Sequence, residues 1–221
     1  MRKFTRYIVI LMAASSLSAC QTVQNDGGTN NQNVNEALDR AAVSAGMKRA
    51  ESRSLLDAEQ AYKKNSSNPM NALSYARALR QSEYFSRAAT ILKPFADKKD
   101  GDSKLKTEMS SVQLELGHFG RAEKYAQNAV LQAPEDYLAF RNLGIALEAK
   151  GQHPQAERAF RKSLEFWQGD PSPIMNNLAL NLATQGFVEE ALDILEKAKN
   201  LAPNNMTIER NLRIVRTLNE R

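Results

Sequence analysis

Apolar residues recur at helical spacing along most of the chain after residue 36, and the pattern itself repeats. Three stretches align with one another: ELGHFGRAEKYAQNAVLQAP, AKGQHPQAERAFRKSLEF and TQGFVEEALDILEKAKNLAP. Their glycines, Gly117, Gly151 and Gly186, are 34 and then 35 residues apart. Small or apolar residues coincide at three later positions, which are Ala122, Ala156 and Ala191, then Ala126, Phe160 and Leu195, then Ala129, Ser163 and Ala198. Nothing here alternates with a period of two, so the pattern predicts an all-α fold with almost no β-structure.

The period predicts four helix–turn–helix units, at about residues 69–102, 103–136, 137–171 and 172–205. In the first unit, Ala88 precedes Ala122 by 34 residues and so continues the series. A single hairpin cannot bury its apolar face alone, so the units are expected to stack in a row. The unit from Ser103 carries Lys106 and Gln113 where large apolar side chains belong. This departure predicts that its first helix is shifted or short.

Two further helical segments flank the four units. Residues 36–68 match the repeat poorly and are predicted to form a degenerate N-terminal unit. Residues 206–221 place Ile208, Leu212 and Val215 on one helical face, with three arginines elsewhere. One apolar side and one solvated side are what the capping helix of a stacked array requires.

The period, the register and the residue types resemble those of the tetratricopeptide repeat, whose unit is a helix, a turn and a second helix. The first helices of that repeat have four characteristic positions, which are in order a large residue, Leu, Gly or Ala, and an aromatic residue. In this chain they are occupied by Phe140, Leu143, Gly144 and Leu147, and one unit later by Met175, Leu178, Ala179 and Leu182. Pro134 and Pro203 occupy its terminal proline. The resemblance covers about residues 69–204. It implies a right-handed superhelix of helix pairs that binds protein partners in an inner groove.

The N-terminus follows a different pattern, in which basic, apolar and small residues come in that order. Arg2, Lys3 and Arg6 precede the run YIVILMAA, which is too short for a membrane span and is typical of a secretory signal over residues 1–19. The following Leu-Ser-Ala-Cys resembles the lipobox of bacterial lipoproteins, which implies cleavage before Cys20 and its lipidation. An ordinary signal with a chance cysteine is the alternative. Residues 20–35, rich in Asn, Gln and Gly, are predicted to be a lipidated flexible tether.

Composition narrows the possible partners. The chain has 30 basic and 25 acidic residues, a formal charge of +5, but the predicted signal accounts for three of the bases. The mature chain is therefore nearly balanced, which gives no support for nucleic-acid binding. Cys20 is the single cysteine, so no internal disulfide can form.

No motif in the sequence indicates catalysis. There is no phosphate-binding glycine loop, HExxH or G-x-S-x-G sequence. His118 and His153 both lie beside turn glycines, where exposed polar residues are normal. We therefore expect no enzymatic activity, no metal, no cofactor and no small-molecule substrate.

The inner groove of such an array is lined by the first helix of each unit, between the packing positions. The residues predicted to line it are Leu73, Arg77, Arg141, Asn142, Ile145, Asn176, Asn177 and Leu180. Asn and Arg beside aliphatic residues can hold a peptide by hydrogen bonds and shallow pockets. Asn142 and Asn177 have an alternative interpretation, in which they only support the helix pair. The set does not reproduce the groove residues with which some tetratricopeptide proteins clamp C-terminal carboxylates.

A lipobox, a short tether and a small repeat array together resemble the assembly lipoproteins of Tad (Flp) pili. The stretches NPMNALSYARALRQ, HPQAERAFRKSLEF and PIMNNLALNLATQGFVEEALDIL carry the resemblance. It implies an outer-membrane scaffold that faces the periplasm and supports assembly or localisation of the secretin. Gln21 after the cysteine, where Asp is associated with inner-membrane retention, agrees with this location. The alternatives are an adaptor for cell-envelope enzymes or another type IV pilus system, and a lipid-anchored hydrolase.

Overall fold

The computed structural model describes residues 53–220, and every regular element in this range is a helix. Residues 53–64 form α1. The helices that follow are α2 (Pro69–Gln81), α3 (Phe85–Ala96), α4 (Ser103–Glu115), α5 (Phe119–Gln132), α6 (Tyr137–Ala149), α7 (His153–Phe166), α8 (Ser172–Gln185), α9 (Val188–Leu201) and α10 (Met206–Asn219). The predicted signal, the tether and Cys20 lie outside the described residues. The all-α expectation is confirmed for the part of the chain that the structure describes.

The helices from α2 onward form four successive pairs, and the first helix of each pair begins at Pro69, Ser103, Tyr137 or Ser172. Local side chains fix most of these starts. Asp136, for example, accepts hydrogen bonds from the backbone N–H groups of Leu138 (3.0 Å) and Ala139 (3.1 Å) at the start of α6. Such N-caps satisfy amides that have no partner inside the helix. Asn68, Asp102 and Asn205 cap α2, α4 and α10 in the same way.

The turn within each pair requires a left-handed backbone. Gly117, Gly151 and Gly186 have φ values of 71°, 75° and 93°, a conformation that glycine adopts without a Cβ penalty. In the first pair the equivalent residue is Glu83, with a φ of 63°. The periodic glycines of the sequence are therefore the points at which the chain reverses between paired helices.

The apolar core is divided into two clusters. One is formed mainly by α2, α3 and α4 and receives Leu55, Ala58 and Tyr62 from α1. The other runs from Leu147 of α6 through α7, α8 and α9 to α10. The helix α10 contributes Ile208, Leu212 and Val215 to this second cluster, while its arginines stay outside the buried core.

The helix α4 contributes Leu105, Met109 and Val112 to the first cluster, and the prediction that it is shifted or short is wrong. It has 13 residues, as many as α2 and α6, and it starts in register. Its polar side chains are buried rather than displaced, and they are Lys106, Thr107, Glu108, Ser110, Ser111 and Gln113.

These buried polar groups have hydrogen-bond partners, several of them on neighbouring elements. Ser110 donates a hydrogen bond to the Ala122 carbonyl (2.9 Å), and Thr107 donates one to Asp136 (2.7 Å). A buried polar group with a hydrogen-bond partner avoids most of its desolvation cost. Hydrogen bonds therefore hold α4 at a place where the repeat ordinarily uses apolar contacts.

Candidate partner-binding groove

One face of the array is formed by the first helices α2, α4, α6, α8 and α10. Successive first helices contact one another, whereas successive second helices are not in comparable contact. The array of the described residues therefore curves, with the first helices on its inner side. The inner groove is defined here by the side chains that remain accessible on this side: Arg77, Arg80, Arg141, Ile145, Asn177 and Leu180.

Three of the eight residues predicted to line the groove are instead buried. Leu73 is 1% exposed and belongs to the first apolar cluster. Asn142 is 1% exposed and Asn176 is 8% exposed. The other five are exposed or half-buried, and they are Arg77, Arg141, Ile145, Asn177 and Leu180. Their role in binding a partner stays a prediction.

The two buried asparagines connect successive first helices. The Asn142 amide donates hydrogen bonds to the Thr107 carbonyl (3.2 Å) and to the Ser111 hydroxyl (2.8 Å). Between α10 and α8, the Asn211 amide donates to the Asn176 side-chain oxygen (2.8 Å). The alternative interpretation of Asn142, support for the helix array, thus has a direct structural basis. Asn177 is half-buried and differs from Asn142 in this respect.

The N-terminal half of the groove carries an arginine cluster around a buried acid. Glu108 of α4 is 1% exposed and accepts hydrogen bonds from Arg80 (2.6 Å) and Arg77 (3.3 Å) of α2. Sequence analysis missed Arg80 and Glu108. The signal that could have found them is an acid in the middle of α4, preceded on the first helix of the unit before it by two arginines three residues apart.

Arg141 lies in the middle of the groove and has no ion pair among residues 53–220. Burial lowers the pKa of its guanidinium, and the positive charge of Arg80 lowers that pKa further, against opposing effects of Tyr137 and Glu115. Arginine nevertheless remains protonated in proteins. The groove therefore presents a half-buried cation with Ile145 one helical turn away, an arrangement suited to an anionic or hydrogen-bond-accepting group with an apolar neighbour.

The two histidines make local contacts only. His118 lies 3.0 Å from the Gln113 side-chain oxygen, and His153 lies 3.0 Å from Glu148. Between residues 53 and 220, no group of three or more His, Cys, Asp or Glu side chains is placed to hold a metal ion. In the same range, no helix is long and apolar enough to cross a membrane.

Comparison with known proteins identifies the repeat. Residues 107–171 and residues 174–202 each match a family model described as tetratricopeptide repeat. No curated protein matches the sequence.

Several solved structures share the fold. A thermophilic TPR protein of Thermus thermophilus is similar at 19% identity and a TM-score of 0.65, over 80% of this chain and 95% of that chain. MamA of Desulfovibrio magneticus is similar at 16% identity and a TM-score of 0.59, over 77% and 96% of the two chains. YrrB, described as a TPR protein with an unusual peptide-binding site, is similar at 20% identity and a TM-score of 0.57, over 76% and 87%. The described residues therefore form an all-helical tetratricopeptide array, as predicted.

Proposed function

We propose that this tetratricopeptide repeat protein is a non-enzymatic scaffold that holds a protein partner in its inner groove. The observation that carries the proposal is Arg141, a half-buried guanidinium in the groove with no ion pair in the described part of the chain. Leaving a partly desolvated charge without a counter-charge is unfavourable, and a partner that supplies an acceptor removes this cost. YrrB, which has the same fold and a peptide-binding site, supports a peptide as the bound form.

We further propose that the scaffold is anchored in the outer membrane, faces the periplasm and serves Tad/Flp pilus assembly, similar to TadD. Support comes from the lipobox-like sequence ending at Cys20, the polar tether after it and the size of the array. Several acyl chains on one cysteine anchor a protein durably, since each buried CH₂ contributes about 0.8 kcal/mol. The partner proposed is the secretin, whose assembly or localisation the scaffold supports.

Two variants of the full chain test the anchor and the groove separately. Cys20→Ala is expected to stay folded, to leave the membrane fraction and to lose the secretin or its correct placement. Arg141→Gln is expected to stay in the membrane but to release the secretin in pull-down experiments. The matched control is Arg158→Gln, which removes an arginine on the second helix α7, away from the groove. Asn177→Asp provides a second groove variant if Arg141→Gln lowers the thermal stability.

The outcomes distinguish the parts of the proposal. Unchanged membrane retention of the Cys20→Ala variant contradicts the lipid anchor. Full secretin recovery with both groove variants contradicts binding in the inner groove. If the pull-down recovers murein enzymes in place of the secretin, and only the groove variants lose these enzymes, the scaffold serves cell-envelope enzymes instead.

A further inference from the structure

A second concave surface lies on the other side of α4 from the inner groove. Within α4, Lys106, Met109 and Gln113 follow one another at helical spacing and form the floor of a crevice of about 900 Å³. Glu108, which faces the inner groove, comes two residues after Lys106 and so points about half a turn away. The second helices α3 and α5 form the walls, and the connection 97–102 closes one end.

The closed end is held by the buried Lys106. Its ammonium donates hydrogen bonds to the carbonyls of Lys99 (3.0 Å) and Gly101 (2.9 Å) and to the Gln132 side-chain oxygen (2.8 Å). The Gln132 amide in turn donates to the Lys99 carbonyl (3.0 Å). These hydrogen bonds link the connection 97–102 to the end of α5 through the Lys106 ammonium. The crevice is therefore part of the folded array and not a gap between loosely placed loops.

The crevice is strongly basic. Its lining contains six cations, Lys93, Lys98, Lys99, Lys106, Arg121 and Lys124, and one carboxylate, Asp97. The balance of +5 exceeds the net charge of the whole described part of the chain, in which 23 basic and 21 acidic residues give +2. Asp97 is itself engaged, because it accepts hydrogen bonds from Lys93 (2.5 Å) and from the Tyr125 hydroxyl (2.5 Å). The other five cations form no ion pair with residues 53–220.

Lys106 and the rim cations have different roles. Lys106 is 4% exposed, and its three protons are already donated to neutral acceptors. Burial lowers the pKa of its ammonium, although Asp100 and Asp102 raise it. Lys106 therefore contributes positive potential at the floor, where the low dielectric strengthens it, while the direct contacts fall to Arg121 and Lys124 on α5.

Apolar surface accompanies the charge. Met109 lies in the floor, the Tyr125 ring lies in one wall, and Leu131 at the end of α5 is 79% exposed. A small inorganic anion does not use such surface, and a flat bilayer cannot enter a crevice between two helices. A peptide segment that carries both acidic and aliphatic side chains satisfies the charge and the apolar contacts together.

We propose that this basic crevice, defined by α3, α5 and the Lys106, Met109 and Gln113 side chains of α4, is a second docking site that binds an acidic, partly aliphatic segment of a protein partner. Arg121 and Lys124 pair with the carboxylates, and Leu131 contacts the aliphatic residue. The site is independent of the inner groove, because it uses the opposite side of α4 and the second helices.

Fluorescence anisotropy of the detergent-solubilised full chain tests the proposal. The probe is a fluorescein-labelled peptide of repeated Glu-Glu-Leu triplets, and its control has every Glu replaced by Gln. We expect saturable, salt-sensitive binding of the acidic peptide alone. The double variant Arg121→Glu, Lys124→Glu is expected to weaken peptide binding by about tenfold or more, because two attractive contacts become repulsive.

Control variants show which surface binds the peptide. Lys197→Glu, which changes an exposed lysine of α9 with no ion pair in the described residues, should leave the affinity unchanged. Leu131→Ser, on the surface, should weaken binding without loss of helicity. Equal binding of the Glu and Gln peptides, or no binding at all, overturns the proposal. Loss of binding in Arg141→Gln alone moves the peptide to the inner groove and also overturns it. Binding of phosphatidylglycerol vesicles but not of the peptide, with the same dependence on Arg121 and Lys124, replaces the peptide by a membrane surface.

Discussion

Gly144 of α6 lies so close to Phe160 of α7 that a Cβ atom on the glycine would approach the phenyl ring to 2.5 Å. Both residues belong to the same helix pair, and Phe160 is 1% exposed. Glycine is therefore required at this position by the packing of its neighbour, since Gly144 is helical and has no need of a positive φ. The close approach also explains why a glycine occurs inside a helix, where it is otherwise unfavourable.

We predict that Gly144→Ala lowers the free energy of unfolding by about 1–3 kcal/mol, because the added methyl group overpacks the core. Urea denaturation followed by circular dichroism measures the change. The control is Gly120→Ala in α5, where a Cβ meets nothing within 4 Å and the glycine is exposed. There, higher helix propensity should leave the stability unchanged or raise it by about 0.5 kcal/mol. Equal losses in both variants would refute the steric explanation.

A second prediction concerns Glu108. Glu108→Gln removes the charge that two arginines share and should lower the free energy of unfolding by about 2–3 kcal/mol. Arg77→Gln should cost less than about 1 kcal/mol, because the Arg77 side chain is 47% exposed and its contact with Glu108 is the longer one. The comparison is made by chemical denaturation at neutral pH. If Arg77→Gln lowers the free energy of unfolding as much as Glu108→Gln does, Glu108 is not the charge on which this arginine cluster depends.

The asparagines give a third prediction. Asn142→Ala removes two hydrogen bonds between α4 and α6 and should lower the free energy of unfolding by about 1–3 kcal/mol. Asn177→Ala, at the equivalent position one unit later, changes a half-buried side chain and should have an effect within about 0.5 kcal/mol. Thermal unfolding of the two variants, followed by circular dichroism, measures the difference in stability. If Asn177→Ala proves the more destabilising, the structural role assigned to Asn142 is incorrect.

The fourth prediction concerns alkaline pH. Burial and the hydrogen bond to Asp97 raise the pKa of Tyr125 from 10.0 to about 12. Because the folded-state pKa lies above the unfolded one, the contribution of Tyr125 to stability is complete below pH 10 and is lost as the pH rises through 12. Burial also raises the pKa of Tyr75, so both tyrosines are expected to ionise late in the titration of the folded protein. We expect the late tyrosinate absorbance to fall in Tyr125→Phe by the contribution of one tyrosine.

The control for this titration is Tyr84→Phe, which removes a tyrosine that is 55% exposed. This variant should keep the late absorbance change that we assign to Tyr125. Late absorbance as large in Tyr125→Phe as in the unchanged chain would contradict the assignment to Tyr125.

The period of the helix pairs can be predicted from the sequence because it depends on local properties. The first helices begin at Pro69, Ser103, Tyr137 and Ser172, the residues at which the repeat places its units. The prediction for α4 failed for a physical reason. Apolar periodicity treats Lys106 and Gln113 as misplaced, whereas hydrogen bonds from neighbouring elements satisfy both side chains in the interior.

By itself, the sequence determined the all-α class, the 34-residue period and the positions of the turns, since a left-handed glycine and apolar residues at helical spacing act within one helix pair. Only the tertiary structure decided which polar side chains are buried and which remain accessible. Asn142 and Asn177 occupy the same position in the repeat, yet Asn142 is 1% exposed and Asn177 is half-buried. The difference arises because burial depends on the side chains of the preceding unit, and these do not repeat.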